Sequence, residues 1–94
     1  MRFRQDMPIK EFAKFAVAEN FYVVDIVTRE IRVFEKEAVR FCCQFVQLLQ
    51  KFVIEMVNVH TGRHYDSVYT KADVVVFSDR DEAVAFAKIG RTEK

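Results

Sequence analysis

The sequence predicts an α+β domain, with an antiparallel sheet of three to five strands, a long central helix and two shorter helices mainly on one face. Two observations predict it. Apolar residues recur at helical spacing in three stretches, and short runs rich in β-branched and aromatic residues lie between them. At 94 residues the whole of 1–94 is read as one domain, with 1–7 and 91–94 as loose termini, residues 1–5 reading alternatively as a short strand.

The first helix is expected over about 8–19. Pro8 suits a first turn, Asp6 is a nearby cap, and Ile9, Phe12, Ala13, Ala16 and Val17 form the apolar face. Residues 21–27 (FYVVDIV) read as a strand. Ile31, Phe34, Ala38, Phe41, Phe45, Leu48 and Phe52 are then spaced alternately by three and four, which favours one helix over about 29–51. Ile31 to Phe34 also alternates like a strand that pairs with 21–27 through residues 28–30, and the helix then covers 36–50. Val39, Cys42, Val46 and Leu49 widen its apolar face, making it the central helix.

Residues 52–60 and 64–70 read as strands joined by a turn at Thr61-Gly62. Residues 71–73 allow a reversal into 74–77 (VVVF), which has the continuous apolar character of a buried strand. Ser78 is read as the N-cap of a last helix, with Asp81 three residues on, Ala83, Phe86, Ala87 and Ile89 buried, and Gly90 as the stop. A weak echo links Lys10–Ala16, Lys36–Cys42 and Asp81–Ala87 (charged, Glu, two small or apolar, variable, Phe, small). A duplicated strand-to-helix unit would produce it. The needs of any helix leaving a sheet explain it more simply, because the copies are irregularly spaced.

Composition excludes several classes. Hydrophobic residues make up 51% and 15 basic side chains face 14 acidic ones, a globular balance and not a disordered one. The same balance argues against a strongly electrostatic nucleic-acid binder. Two glycines leave no Gly-rich phosphate loop. Ten Phe and no Trp make Phe the main core residue. No apolar run is long enough to span a membrane and the start is too charged for a secretory signal, so a cytoplasmic location is expected. Cys42 and Cys43 are adjacent and have no other partner, so no disulfide framework or Cys-x-x-Cys motif exists. On the expected helix both thiols lie within an apolar run, with Cys42 facing the core, far from anything that would activate a nucleophile.

The densest polar chemistry is at the hairpin tip, with His60, Arg63, His64 and Asp66. A three-residue loop (61–63) would set His60 across from His64, where one ion could bridge them. A two-residue loop (61–62) would set His60 across from Arg63. Asp66, the remaining ligand type nearby, is taken to be out of phase with His64 on its strand. A solvated tip is the plainer reading, and Arg63 with the two His would suit a partner or phosphate contact. The carboxylates near helix starts are explained by the helix dipole. No catalytic residue, cofactor or metal ligand is therefore assigned.

The expected function is that of a small non-enzymatic protein-binding or regulatory protein. Such a protein would be an accessory or inhibitor of the kind that compact viral or phage genes encode, without any membrane role. It would act through a sheet edge or an apolar helix face bearing Phe41, Phe45, Leu48 and Leu49, helped by His60, Arg63 and His64, as a homodimer or docked on a partner. The alternative is a modest nucleic-acid-binding module. It would use a helical stripe of Arg29, Arg32, Lys36 and Arg40, with Arg63.

Overall fold

A computed structural model describes residues 1–91. The order is α1 (Ile9–Ala16), β1 (Phe21–Asp25), β2 (Ile31–Phe34), β3 (Val39–Val46), β4 (Lys51–Asn58), β5 (His64–Thr70), β6 (Val74–Phe77) and α2 (Arg80–Arg91). The six strands form two antiparallel three-stranded sheets, sheet A in the order β2-β1-β6 and sheet B in the order β3-β4-β5.

The expected long helix over 36–50 does not exist. Residues 39–46 are a strand of eight, and 47–50 form the turn that returns the chain into β4. Phe41 and Cys43 face inward and Arg40 and Gln44 face out, the period-two burial of a sheet with one covered face. Ala38, just before the strand, takes φ +63° and Gln50 ends the turn at φ +51°, left-handed values that no α-helix accommodates. The middle copy of the sequence echo is therefore a turn entering a strand, while the outer two are helices. The predicted hairpin of 31–34 with the preceding strand is present, with Phe21 opposite Phe34 and Val24 opposite Ile31.

The two sheets pack face to face. Phe21, Val23, Phe34, Val74 and Val76 of sheet A meet Phe41, Cys43, Phe52 and Ile54 of sheet B, and Phe3 and Phe15 close the seam. With Phe12 and Phe45 packed against it, this cluster takes eight of the ten phenylalanines. α2 covers the other side of sheet A, where Ala83 and Ala87 lie on Tyr22, Val24 and Phe77. Sheet A is thus covered on both faces, which accounts for the unbroken apolar runs FYVV and VVVF. Sheet B has a covered inner face and an open outer one.

The other corrections are local. Residues 1–7 are not a loose terminus, because Phe3 is buried and its N–H donates to Val76 O at 2.9 Å, while Ser78 N–H donates to Met1 O at 2.7 Å. The buried stripe of α1 runs through Phe12 and Phe15, one position round from the expected face, and Ile9 and Val17 are exposed. Pro8 is the N-cap residue, and no side chain caps the helix. At α2 the cap is Asp79, whose Oδ2 accepts from Glu82 N–H at 3.1 Å. Ser78 is held by Met1 instead. The helix continues through Gly90 to Arg91, and Ile89 is largely exposed. Of the expected loose segment 91–94, residues 92–94 lie outside the described residues.

Three substitutions test this architecture. Ala38→Gly should stabilise the protein by about 1 kcal/mol in denaturant unfolding, because glycine accepts the left-handed backbone that alanine resists. In a helix the same change would cost about 1 kcal/mol. Phe52→Ala should cost about 3–5 kcal/mol at its buried position, whereas Leu48→Ala, at a residue 98% exposed, should stay within about 0.5 kcal/mol of wild type.

Candidate functional site

The open face of sheet B carries the chemistry. The ladder sets Cys42 opposite Glu55 and Glu55 opposite Asp66, one row across three strands. The next row is Arg40, Val57 and His64. His64 and Asp66 are two residues apart on one strand and so share a face, contrary to the expectation that they were out of phase. His64 Nε2 lies 3.1 Å from Asp66 Oδ1 and 3.7 Å from Glu55 Oε2.

The hairpin has neither expected register. Asn58 Oδ1 accepts the N–H groups of His60 (2.9 Å) and Thr61 (3.0 Å), and Asn58 O accepts from Gly62 at 2.8 Å. Gly62 takes φ +73°, the conformation its lack of a Cβ makes cheap. The loop therefore covers 59–63, between Asn58 and His64. His60 and Arg63 sit exposed in it, and His64 is opposite Val57. The structure brings together His64, Asp66 and Glu55 and leaves His60 and Arg63 apart from them. Sequence reasoning missed Glu55. Its signal was the alternation Phe52, Ile54, Met56, which sends Glu55 to the opposite face from its apolar neighbours.

The cysteines also exchange roles. Cys43 is buried in the seam and Cys42 is half-buried on the outer face, the reverse of the helical expectation. Burial, with a smaller effect from Cys42, pushes the Cys43 thiol up to about 12. Burial and the Glu55 carboxylate also raise the Cys42 thiol. Neither environment supplies an activated thiolate.

Three strand edges are open among the described residues. Residues 1–3 cover the edge of β6, but β2, β3 and β5 each pair on one side only. Val59 N–H donates to Ala38 O, which sets the phase of the β3–β4 ladder. By the alternation of antiparallel pairs, Val39, Phe41, Cys43 and Phe45 then direct their N–H and C=O groups to the free edge of β3. The first part of that edge lines a cleft of about 1100 Å³, whose other walls are residues 17–20 after α1 and residues 35–37. Glu19, Glu35, Glu37 and Glu55 line it against Lys36 and Arg40, an acidic surplus.

The remaining predicted residues scatter. Phe41 is buried and Phe45 packs on Phe3 (ring centroids 4.9 Å apart) and Phe52 (5.1 Å), while Leu48 and Leu49 sit exposed at the β3–β4 turn. The apolar helix face is thus divided between core and hairpin tip. The proposed basic stripe depended on the same helix. Arg29 instead stacks over the Phe86 ring at 4.4 Å and donates to Phe86 O at 3.2 Å, toward α2. Arg32 lies on β2, 5.9 Å from the Phe34 ring, Lys36 lies in the cleft, and Arg40 is on sheet B.

Among the described residues, no helix is long and apolar enough to cross a membrane. Comparison of the chain with protein-family models, with curated proteins and with solved structures found no match.

Alkylation tests the placement of the thiols. Iodoacetamide at pH 8 should modify the folded protein once, at Cys42 and more slowly than a free thiol, and Cys43 only after denaturation. Peptide mapping by mass spectrometry reads the site, and equal native labelling of both cysteines would contradict their assignment to opposite faces. A pH effect follows as well. The Cys43 pKa is higher folded than unfolded, so its contribution to stability is full below about pH 8.5 and is lost as the pH rises toward 12. Denaturant midpoints of wild type and Cys43→Ala should therefore converge across that range.

Proposed function

We propose that this chain is a non-enzymatic protein-binding module that takes an extended segment of a partner protein as an added strand on the free edge of β3. One observation carries the reading. Val39 and Phe41, whose N–H and C=O groups the ladder directs to the free edge, line a cleft of about 1100 Å³. An unpaired edge offers main-chain hydrogen bonds to any extended chain, and the cleft walls supply side-chain selectivity. Val17 and Ala18 offer an apolar contact on the opposite wall. The carboxylates of Glu19, Glu35, Glu37 and Glu55 outnumber the cations of Lys36 and Arg40, which favours a partner segment bearing Lys or Arg. An accessory or inhibitory role fits such a module, since a strand added at an edge occupies a partner's segment without altering it chemically. The sheet edge is the part of the sequence expectation that retains support, because the apolar helix face has no helix to carry it.

Selection from a random displayed-peptide library, followed by titration of the best peptide into ¹⁵N-labelled protein, tests the reading. The selected peptides should be extended and basic, and the amides of Val39 and Phe41 should shift most. Reversing charge at Glu35 and Glu37 together (Glu35→Lys, Glu37→Lys) should weaken binding at least tenfold, about 1.4 kcal/mol. Failure to enrich any sequence, or shifts centred on β5, would reject the β3 edge. Retention of nucleic acid with a steep loss on adding salt would favour the nucleic-acid alternative instead.

A further inference from the structure

We propose that Glu55, His64 and Asp66 form a binding site for a zinc-class divalent cation on the outer face of sheet B. The donor atoms of the three side chains all lie within 4.8 Å of one another. A tetrahedral ion with bonds of about 2.0–2.1 Å holds neighbouring ligand atoms about 3.3–3.4 Å apart. The observed separations of 3.1 Å from His64 Nε2 to Asp66 Oδ1 and 3.7 Å to Glu55 Oε2 bracket that value. The third separation, Glu55 to Asp66, lies within 4.8 Å, so side-chain rotation is the adjustment a bound ion would ask for.

The convergence is built by the sheet. Glu55 and Asp66 are directly paired across β4 and β5, and His64 precedes Asp66 by two residues on the same face. The ladder holds all three Cα atoms, so the site costs little ordering of the main chain. Charge points the same way. Among the described residues, neither Glu55 nor Asp66 has a Lys or Arg at ion-pair distance, and His64 is their common neighbour. Two carboxylates on one imidazole leave a negative surplus that a divalent cation would neutralise.

The donor set indicates the metal. One imidazole nitrogen with two carboxylates suits zinc and its first-row neighbours over magnesium or calcium, which prefer an all-oxygen shell. All three side chains reach solvent, leaving at least one coordination position to water. Cys42 meets Glu55 from β3, on the side away from His64 and Asp66, and His60 stays in the loop. Neither belongs to the set. A bound ion would fasten the edge strand β5 to the central strand β4.

Titration with zinc chloride alone tests this, by calorimetry and by NMR of the histidine side chains near pH 7. The wild-type protein should bind one equivalent and shift the ring signals of His64 but not those of His60. His64→Ala, Asp66→Asn and Glu55→Gln should each weaken binding at least tenfold, while His60→Ala and Cys42→Ser stay within about twofold of wild type. These positions are solvent-facing, and the wild-type histidine spectrum decides the matter even if a variant folds poorly. A hundredfold excess of magnesium should not displace the zinc. Absence of saturable one-to-one binding, a shift at His60 alone, or loss of binding in Cys42→Ser with His64→Ala unaffected would overturn the proposal.

Discussion

The phenylalanine seam between the two sheets is the constraint on which the rest of the molecule depends. Phe3 shows how closely it is knit. Its ring lies 4.8 Å from Phe52 and 4.9 Å from Phe45, and within 6.0 Å of both Phe12 and Phe15, while its backbone N–H pairs with Val76 on sheet A. One residue near the amino end thus ties α1 and both sheets together. Removing apolar area on this scale from water is the largest favourable contribution available to so small a chain. It also fixes register. A slip of one residue in β4 would drive Glu55 into the seam and Ile54 out of it, so the buried face specifies which polar groups meet on the open one.

That asymmetry distributes the functional surface. Sheet A is enclosed between sheet B and α2, and residues 1–3 occupy the edge of β6. Among the described residues sheet B has no third layer, and both of its outer strands are edges. Exposed edges invite pairing with other chains unless charge or cover opposes it. Here the first part of β3 lies in an acidic cleft, and β5 carries His64 and Asp66 beside its free edge. The side chains that give this face its chemistry thereby also limit indiscriminate association.

How much of this was legible in the sequence follows from where the two periodicities differ. FYVV and VVVF read as strands because each is covered on both faces, and α2 read as a helix because its alanines and Phe86 recur at helical spacing. The stretch 36–50 misled because a spacing of four satisfies both patterns: it is about one helical turn, and it is an even number along a strand. Phe41 and Phe45 obey either rule. The spacings of three that argued for a helix all had other causes. Ile31 and Phe34 lie on opposite faces of a sheet covered on both sides, Ala38 to Phe41 crosses out of a turn, and Phe45 to Leu48 crosses into one. The candidate residues suffered in the same way. Phe41, Phe45, Leu48 and Leu49 lie together only on a helix, and on a hairpin they divide between the core and the tip. At the histidines, the residue types were legible but the partner was not. That Glu55 joins His64 and Asp66 depends on cross-strand register, which the five-residue loop sets through Asn58 and Gly62.

Glu55 links the cleft to the histidine cluster, because its side chain lines the first and belongs to the second. It is one of the four carboxylates that give the cleft its acidic surplus. A divalent cation held by Glu55, His64 and Asp66 would cancel that contribution and leave the cleft wall less acidic. The two proposed sites share this carboxylate and would therefore be coupled electrostatically. By thermodynamic reciprocity, whatever a bound cation takes from the affinity for a basic segment, that segment takes from the affinity for the cation. The coupling runs through a single carboxylate at a half-buried position, so it is modest in size and weakens with salt. Its sign is set by the sheet alone, which puts Glu55 on the central strand between the free edge that opens on the cleft and the strand that carries His64 and Asp66.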